Sequence, residues 1–468
     1  MIVLPGLKGK HYIVLGLGKT GDATAVALHA SGAQIEVWDD SATARAAATA
    51  RQIPLVDPAQ IDWSTITALV ISPGIPHTHP TPHPLAAAAK AAGVPIIGDI
   101  ALLFQAQPQA RYVGITGTNG KSTTTSLIGH ILHGAGLRVE VGGNLGTPVL
   151  SFAPLGDNGI YVLELSSYQL ELMPHNMLQV AVMLNITPDH LDRHGGMAGY
   201  IAAKERILRC DGPQTFVCGL DDDPSRALAA QAAAMPNVTL RGISQTTQKK
   251  SAVYTDDTQL IDNIDGTARA ILDLATLTNL VGAHNWQNIA AAYAAARALG
   301  LNPEAIIAGI KSFPGLAHRQ QLVATRHGVK YVNDSKATNA DATSKALACY
   351  DNIYWIIGGR PKEGGLNGLE SFMPRIRHAF LIGEASDAFA AWLDGKATYT
   401  RCGTLDKAIV AAATLAKTDG RLNAVVLLSP ACASWDQFRS FEHRGDVFSE
   451  QVRALPMVTP AKNARGIA

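Results

Sequence analysis

Short apolar runs rich in β-branched and aromatic residues alternate with alanine-rich segments from one end of the chain to the other. Apolar runs bounded by glycine, proline or aspartate are typical of buried strands, whereas longer alanine-rich segments are typical of helices. Near the N-terminus this pattern predicts a strand at residues 11–18, a helix at 24–32, and two further strands at 34–40 and 67–74. Because strands and helices alternate, we expect an α/β fold with parallel sheets.

Two interruptions of the pattern divide the chain, which is too long for a single core at 468 residues. The first interruption lies at residues 104–111, and the second lies near Pro314 and Gly315, after a long alanine-rich helix. The proline-rich segment 73–84 is predicted to be a loop inside the first domain. We therefore predict three domains, listed here in order: a Rossmann-like domain over residues 1–105, a central P-loop ATPase-like domain over 106–315 and a second Rossmann-like domain over 316–468.

Composition excludes several classes of function. The formal net charge of +1 predicts no concentrated basic face, so no nucleic-acid partner is expected. Five scattered cysteines without a C-x-x-C pair argue against both a disulfide framework and a zinc site. The chain has no uncharged apolar run of about 18 residues, so no membrane partner is expected. We expect a soluble cytoplasmic protein that acts as a monomer.

A first glycine-rich loop follows the N-terminal strand. Residues 16–21 read G-L-G-K-T-G, and Asp39 ends the next strand about 20 residues later, as in the dinucleotide-binding fingerprint. Taken alone, this motif predicts an NAD-dependent dehydrogenase. A glycine turn between a strand and a helix can also hold another phosphate or nucleotide, or serve only helix packing.

A second glycine-rich loop resembles a phosphate-binding P-loop without matching it fully. Residues 114–125 read GITGTNGKSTTT, in which Gly120, Lys121 and Ser122 fit the second half of the usual pattern. The position of the first glycine holds Ile115, and a glycine stands at Gly117 instead. Which nucleotide this loop holds depends on the residues around it.

Polar side chains also follow the neighbouring strands. Glu164 ends the predicted strand IYVLEL, and Asp189 and His190 follow the strand AVMLNIT. Open α/β sheets bind ligands beyond the carboxyl ends of their strands, so these side chains should lie near Lys121 and Ser122. This set predicts a site for ATP and Mg²⁺. Each member also has a structural interpretation, as an exposed lysine, a sheet-edge carboxylate or a surface histidine.

A series of further motifs carries a family resemblance. In chain order they are GTNGKST (117–123), GGNLG (142–146), ELSSYQLE (164–171), NITPDHLDRH (185–194), GAHNWQN (282–288), HRQ (318–320) and NDSKATN (333–339). The chain thereby resembles the Mur ligases over nearly its whole length, and residues 428–448 are similar to those of the members that add D-glutamate. The resemblance implies that the variant P-loop holds ATP.

That resemblance also implies a reaction. An ATP-dependent ligase would join D-glutamate to UDP-N-acetylmuramoyl-L-alanine through an acyl phosphate, in the cytoplasmic synthesis of peptidoglycan precursors for cell-wall growth and cell division. The implied catalytic residues are Lys121, Lys204, His190 and Glu164. Mg²⁺ would be held by Ser122, Glu164, His190 and a carbamate on Lys204. The segment YIAAKERIL by itself predicts an exposed helix lysine beside Glu205, so the carbamate rests on the resemblance alone.

The resemblance assigns the remaining binding residues by position. The implied ATP contacts are Gly117, Thr118, Asn119, Gly120, Lys121, Ser122, Thr123, Asn285, Asn288, Arg319 and Asp334. Uridine would lie near Gly16, Gly18, Asp39, Asp40 and Ser72, and the muramoyl group near Asn144 and His190. The incoming amino acid would lie among Lys336, Thr338, Lys362, Ser434 and Phe441. Loops at residues 311–318 are the predicted hinge for domain closure.

Several alternatives remain open at this stage. Sister ligases add L-alanine, a diamino acid or a dipeptide, and folylpolyglutamate synthases share the ATP site; the D-N-P-R segment typical of the diamino-acid ligases does not occur here. A dehydrogenase would leave Lys121, Glu164 and His190 without a role. A non-catalytic nucleotide-binding module would be expected to lack one of those three residues.

Overall fold

The computed structural model describes residues 1–362 and 364–455, apart from the side chain of His284. The end of the predicted third domain, residues 456–468, lies outside the described residues. The chain divides into two compact units. The first comprises Met1–Leu274 and Ala283–Phe313, and the second comprises Ala275–Gly282 and the chain from Pro314 onward.

The first unit begins with a four-stranded parallel sheet in the order β2-β1-β3-β4. Its strands are β1 (His11–Leu15), β2 (Gln34–Trp38), β3 (Ala68–Ile71) and β4 (Ile96–Ile97). The accompanying helices are α1 (Lys19–Ala30), α2 (Ala42–Ala50), α3 (Pro84–Ala91) and α4 (Asp99–Ala106). The strands and the helix predicted before residue 75 are confirmed, and the predicted loop extends as far as Pro84, where α3 begins.

A nine-stranded sheet follows in the same unit, in the order β13-β12-β11-β10-β9-β8-β5-β7-β6. Its strands are β5 (Arg111–Thr116), β6 (Arg138–Gly143), β7 (Gly159–Glu164), β8 (Val180–Met183), β9 (Gln214–Gly219), β10 (Val238–Ser244), β11 (Val253–Asp256), β12 (Gln259–Asp262) and β13 (Arg269–Asp273). Its helices are α5 (Lys121–Gly134), α6 (Ser167–Glu171), α7 (Leu191–His194), α8 (Met197–Glu205), α9 (Asp223–Ala233), α10 (Ala283–Ala298) and α11 (Pro303–Ser312).

The expectation of parallel sheets is wrong at one edge of this sheet. Strands β5 to β11 pair in parallel, but β12 is antiparallel to both β11 and β13. Only two residues, Asp257 and Thr258, join β11 to β12, and Asp257 has a φ of 52°. So short a connection can join only antiparallel strands, because a parallel pair needs a long crossover.

The central strands carry the core of the first unit. Every residue of β7 is buried, as are nearly all residues of β5. On one face of these strands the aromatic rings of Phe104, Tyr112, Tyr161 and Phe152 pack in series, with ring centroids 4.7 to 5.8 Å apart. Tyr112 and Tyr161 lie in the amino-terminal halves of β5 and β7, so this packing anchors the strands whose carboxyl ends carry the predicted site residues.

The second unit contains a six-stranded sheet in the order β14-β15-β19-β16-β17-β18. Its strands are β14 (Gln321–Arg326), β15 (Val329–Asn333), β16 (Asn352–Gly358), β17 (Ile376–Ile382), β18 (Tyr399–Gly403) and β19 (Ala424–Leu428), and its helices are α12 (Ala340–Leu347), α13 (Ser386–Leu393), α14 (Leu405–Asp419) and α15 (Phe441–Ala454). Residues from α12 and α13 cover one face of the sheet, and residues from α14 and α15 cover the other. Only β14 is antiparallel, because the two-residue turn His327–Gly328 joins it to β15.

Within the described part of the chain, no helix combines the length and the apolar character needed to cross a membrane.

Candidate functional site

The loop between β5 and α5 has a conformation that explains its unusual glycine spacing. Gly117 and Gly120 have φ angles of 148° and 86°, in the region that favours glycine. A Cβ at Gly120 would also overlap Asn288 Oδ1. Ile115, which replaces the first glycine of the usual pattern, is fully buried inside β5. The sharp turn therefore begins after the strand has ended, at Gly117.

Helix α5 begins at Lys121, directly after this loop. The amino group of Lys121 donates to the carbonyl oxygens of Gly117 at 2.9 Å and Thr118 at 2.8 Å. Ser122 and Thr123 follow in the first turn, and both are buried. The N–H groups of a first helical turn, together with a lysine, create a positive potential that suits a phosphate group.

Glu164 ends the neighbouring strand β7 and is only 3% exposed. Its Oε1 accepts a hydrogen bond from Asn144 Nδ2 at 2.8 Å. Its Oε2 is buried and has no hydrogen-bond partner among the described residues. A buried carboxylate oxygen without a donor is unfavourable unless a cation compensates it. Glu164 is therefore a buried carboxylate with one oxygen that could hold a cation, and not an exposed carboxylate at the sheet edge.

Lys204 lies on α8 and is 1% exposed, so the sequence-based expectation of an exposed helix lysine is wrong. Its amino group donates to Gly117 O at 2.9 Å and Thr116 Oγ1 at 3.2 Å, and it lies 4.9 Å from the ring centroid of Tyr200. Burial, reinforced by the charge of Lys121, holds the pKa of Lys204 well below its usual range. The neutral amine, which is the form that reacts with CO₂, is thereby favoured.

His190 lies in the loop before α7 with a φ of 50°. Its Nε2 is 3.5 Å from Asp189 Oδ2, and its ring centroid is 5.2 Å from that of Tyr168. The side chain is 53% exposed. No hydrogen bond among the described residues links it to Glu164 or Lys204, so the structure supports its place in the predicted set less directly.

The donor set fits a hard cation better than a soft one. Within residues 1–362 and 364–455, no group of three or more histidine, cysteine, aspartate or glutamate side chains is arranged to hold a metal ion. Mg²⁺ is usually bound by one or two carboxylates together with substrate phosphates and water. The unpartnered oxygen of Glu164, with the Ser122 hydroxyl at the neighbouring loop, meets that requirement, whereas a zinc or iron site would need more protein ligands.

The predicted adenine-side residues begin helix α10. Asn285 and Asn288 are both buried, and Asn288 Nδ2 donates to Asn285 Oδ1 at 3.1 Å. Asn288 Oδ1 accepts from Thr124 Oγ1 at 3.2 Å, which ties α10 to α5. The structure thus places the first turn of α10 beside the glycine loop, as the predicted ATP contacts require.

The N-terminal glycine fingerprint has a structural explanation of its own. A Cβ at Gly16 would lie 2.7 Å from Ser72 Oγ, and Ser72 Oγ donates to Gly16 O at 3.1 Å. The two carboxylate oxygens of Asp39 accept from the backbone N–H groups of Leu17 at 2.7 Å and Ser41 at 2.8 Å. The Ser72 bond holds the loop after β1 against the loop after β3, and the Asp39 bonds hold it against the segment after β2.

Asp40, predicted near the uridine, is solvent-exposed. Its Oδ1 lies 3.3 Å from His83 Nε2 and accepts from Trp38 Nε1 at 3.2 Å. The hydrogen bond with His83 is the main cause that lowers the pKa of Asp40. Gly18, which precedes α1, has open space where a Cβ would lie, so packing does not require glycine there.

The residues predicted around the amino acid lie in loops of the second unit. Lys362 Nζ donates to Thr338 Oγ1 at 3.4 Å, and Lys336 Nζ lies 5.5 Å from the ring centroid of Phe441. An antiparallel bridge between Arg360 and Ala433 joins the loop after β16 to the loop after β19, where Ser434 is buried. The structure therefore brings the predicted residues of this set together in adjoining loops.

A buried arginine and a buried aspartate hold these loops. Arg444 is fully buried and donates to Ser335 Oγ and Ser335 O, both at 2.9 Å, and to Cys432 O at 3.1 Å. Asp334, a predicted ATP contact, accepts from Gln320 N at 3.1 Å and Ser429 Oγ at 2.7 Å. Burial raises the pKa of Asp334 to about 7. Sequence reasoning did not assign Arg444, although it lies inside the C-terminal segment that carries the resemblance.

Three polar residues around the glycine loop were also missed. Asn185, Gln287 and Asp221 form a chain of side-chain hydrogen bonds that reaches Asn119. Asn185 and Gln287 lie inside two of the motifs quoted above, so the signal was present, but their contact could not be read from positions 102 residues apart.

Comparison with known proteins identifies the family. The family described as Mur ligase middle domain matches residues 115–296, and the one described as Mur ligase MurD-like, N-terminal domain matches residues 10–98. The chain belongs to the Mur ligase family. It is similar to the UDP-N-acetylmuramoylalanine–D-glutamate ligase of Paramagnetospirillum magneticum, with 55% identity over 97% of this chain and 99% of the relative. The ligase of the same name from Rhodospirillum rubrum is 52% identical over 100% of this chain and 99% of the relative.

Solved structures agree on the Mur ligase fold. UDP-N-acetylmuramate-alanine ligase MurC from Thermotoga maritima superimposes with a TM-score of 0.55 over 95% of this chain and 99% of that chain, at 17% sequence identity. A pseudomurein peptide ligase type C from Methanothermus fervidus gives a TM-score of 0.54 over 96% and 100%, at 18% identity. At such low identity these structures bear on the α/β architecture and not on the substrate.

Proposed function

We propose that this chain is an ATP-dependent ligase that adds D-glutamate to UDP-N-acetylmuramoyl-L-alanine, in the cytoplasmic synthesis of peptidoglycan precursors. The observation that carries the proposal is the buried Glu164 carboxylate next to the glycine loop that carries Lys121. Oε2 of this carboxylate has no hydrogen-bond partner among the described residues. The choice of D-glutamate rests on relatives of that name that match nearly the whole chain.

An amide cannot form from a carboxylate and an amine in water without activation. The γ-phosphoryl group of ATP is transferred to an oxygen of the L-alanyl carboxylate, which releases ADP and gives an acyl phosphate. The D-glutamate amine then attacks the acyl carbon, the C–O bond to phosphate breaks, and inorganic phosphate leaves as the amine loses its proton. The acyl phosphate supplies the driving force for the amide bond.

The glycine loop and α5 hold the phosphates in this scheme. Backbone N–H groups of Gly120 to Thr123 surround the phosphate oxygens, whereas those of Thr118 and Asn119 donate to Asn185. Lys121 neutralises the charge on the transferring group. Asn285 and Asn288 receive the adenine side of ATP. Arg319 and Asp334, in the second unit, remain predicted ATP contacts.

Mg²⁺ would be held by Ser122, Glu164, His190 and a carbamate on Lys204, and when bound it would supply positive charge to the phosphate oxygens. The low pKa of Lys204 supports the carbamate, since a neutral amine adds CO₂ and loses a proton to give an anionic oxygen donor. Asn144 orients Glu164 through its 2.8 Å hydrogen bond and lies at the predicted muramoyl position with His190.

The remaining substrate sites follow the predicted domains, 1–105, 106–315 and 316–468. Uridine lies against the turn formed by Gly16, Gly18, Asp39, Asp40 and Ser72. D-Glutamate has two carboxylates, and the loops that carry Lys336, Thr338, Lys362, Ser434 and Phe441 offer cations and hydroxyl donors for them. We propose that the enzyme works as a monomer.

Phosphate release tests the proposal. The wild-type protein is mixed with ATP, Mg²⁺ and UDP-N-acetylmuramoyl-L-alanine, and inorganic phosphate is measured against a panel of D- and L-amino acids. D-Glutamate should give the fastest release, with formation of one new amide bond per phosphate. Faster release with L-alanine or a diamino acid would assign the chain to a sister ligase, and reduction of a nicotinamide cofactor without phosphate release would indicate the dehydrogenase alternative.

A further inference from the structure

A chain of side-chain hydrogen bonds connects the glycine loop to helix α10 and to the ends of β9 and β10. Asn185 Oδ1 accepts from the backbone N–H of Asn119 at 2.8 Å, and Asn185 Nδ2 donates to Gln287 Oε1 at 2.9 Å. Gln287 Nε2 donates to Asp221 Oδ2 at 2.8 Å. Asp221 Oδ1 accepts from Ser244 Oγ at 2.6 Å. Five segments that are separate in the sequence are thereby joined.

From Asn119 N to Asp221, the hydrogen bonds through Asn185 and Gln287 are each donated toward the Asp221 carboxylate. A carboxylate offers only acceptor oxygens, so Gln287 must turn its amide N–H groups toward Asp221 and its oxygen toward Asn185. Asn185 must then turn its own oxygen toward the loop, where Asn119 N donates to it. The Asp221 carboxylate, which also accepts from the backbone N–H of Gln245 at 3.1 Å, thus fixes the orientation of both amides.

The site is built to accommodate these amides. Gln287 is 6% exposed, and a Cβ added at Gly219 would lie 3.0 Å from Gln287 Nε2. Asn185 also donates to Asn119 O at 3.2 Å, so both backbone polar groups of that loop residue are held by a single side chain. Loss of these hydrogen bonds would leave buried polar groups unpaired and would remove the side chain that holds the backbone of Asn119.

Gln287 lies between Asn285 and Asn288 in the first two turns of α10. The same end of the helix therefore carries the two predicted adenine-side residues and the residue that supports the phosphate loop through Asn185. On the other side, Thr124 of α5 contacts Asn288. Helix α10 is in this way tied to the phosphate-binding segment both before and after Lys121.

We propose that Asn185 and Gln287 are positioning residues, anchored by Asp221, that hold the backbone of Asn119 in the conformation that binds and transfers phosphate. They act through the loop and do not contact the reacting atoms. The inference rests on the proposed ATP-dependent function. Because a displacement of about 1 Å at a reacting group can lower a rate about 10²-fold, a loose loop should affect turnover as well as ATP binding.

The test uses Gln287→Met and Asn185→Leu, which keep side-chain size and remove the hydrogen bonds, together with the double variant. Each single variant should weaken ATP binding, measured by calorimetry, about tenfold and lower kcat about 10- to 100-fold. The KM values for the UDP-substrate and D-glutamate should stay within about twofold. The double variant should be no worse than Asn185→Leu alone, because the residues act as one unit.

The matched control is Gln214→Met. Gln214 is a buried amide of the same sheet whose Nε2 donates to Leu178 O at 2.9 Å and Ile207 O at 3.2 Å, at the start of β9 and far along the strand from the loop. Gln214→Met should lose about as much thermal stability as Gln287→Met, yet it should retain the ATP affinity and the kcat of the wild type. If Gln287→Met changes ATP binding and kcat no more than this control does, or if the single losses multiply in the double variant, the positioning role is wrong.

The wild-type measurements separate this inference from the proposed function. If the wild-type protein binds ATP but releases no phosphate with D-glutamate, the proposed reaction is overturned. The ATP affinities of Gln287→Met, Asn185→Leu and Gln214→Met would still test the positioning role of the hydrogen bonds. A wild-type chain that binds no ATP would overturn both.

Discussion

At the scale of single residues, two lysines share one acceptor and have different surroundings. Lys121 and Lys204 both donate to Gly117 O at 2.9 Å, but Lys204 is almost completely buried while Lys121 is partly exposed. Burial, and then the charge of Lys121, lower the pKa of Lys204. The difference in burial therefore favours the neutral amine at Lys204, the form that carbamate formation requires.

Lys121→Ala should remove most turnover and leave the fold intact. A cation placed on a transferring phosphoryl group acts mainly in the transition state, and loss of one such group typically costs about 10²-fold or more in kcat. Phosphate release measures the loss, and circular dichroism with thermal melting checks the fold. Turnover close to that of the wild type would contradict the assignment of this loop to ATP.

Lys204→Ala should be nearly inactive and should regain part of its activity when formate or acetate is added. The small carboxylate would occupy the space left by the side chain and supply the oxygen donors that the carbamate otherwise provides. Lys121→Ala serves as the control and should not be rescued. If no carboxylate restores Lys204→Ala and the native protein has the mass of an unmodified lysine, the carbamate is absent.

At the scale of the secondary-structure elements, strand ends were predictable and long-range pairings were not. Glu164 and Lys121 could be placed because each follows a local apolar run and strand ends of a parallel sheet meet at one edge. The antiparallel strand β12 was missed because its two-residue turn, Asp257–Thr258, lacks the usual glycine. The burial of Lys204 was also missed, since it depends on how α8 packs against the loop after β5 and not on the pattern within α8.

The beginning of helix α4 gives an element-scale prediction about pH. Asp99, the first residue of α4, is 3% exposed, and its Oδ1 has no hydrogen-bond partner in the described part of the chain. It lines a narrow cavity with Gly21, Thr24 and Ser72, beneath the first glycine loop. Burial raises the pKa of Asp99 to about 6 in the folded state, above the value of about 4 expected when unfolded.

Between pH 4 and 6, roughly, the folded protein keeps the Asp99 proton that the unfolded chain has lost, so stability falls as pH rises through that window. Above it the folded protein carries a buried carboxylate at a cost of about 3 kcal/mol. Asp99→Asn does not titrate and should melt at a higher temperature than the wild type at pH 7.5, with the difference vanishing near pH 4. A difference in melting temperature that is independent of pH would show that Asp99 is already ionised or solvated in the folded protein.

At the scale of the whole molecule, the predicted site residues are distributed over both compact units. The glycine loop, Glu164 and Lys204 belong to the first unit, whereas the residues predicted to bind the incoming amino acid belong to the second. The first unit ends at Phe313, inside the segment 311–318 predicted as a hinge. Substitutions at the predicted amino-acid-binding residues Lys362 and Ser434 should therefore affect one substrate selectively and leave the phosphate loop unchanged.

Specificity for D-glutamate follows from its two carboxylates. Lys362 lies beside Thr338, and Ser434 lies in the adjoining loop. In the proposed pocket these residues would present a cation and hydroxyl donors to two anions a fixed distance apart. D-Alanine lacks one carboxylate and should be a very poor substrate, because a site built for a charged group rejects an analogue without it by about 10⁴-fold or more. L-Glutamate should fail because anchoring both carboxylates turns its amine away from the acyl phosphate.

Lys362→Ala and Ser434→Ala should accordingly raise the KM for D-glutamate about tenfold or more, while the KM values for ATP and the UDP-substrate change little. Initial-rate phosphate release with each substrate varied in turn measures the three constants. Lys396→Ala, a change at an exposed lysine of the same unit whose amino group donates to Trp392 O, is the control for a general loss of positive charge. Equal increases in all three KM values would mean that these loops support the fold of the second unit and do not contact D-glutamate. The amide-forming chemistry would then stand, since it depends on the first unit, but the amino-acid pocket would have to be sought elsewhere.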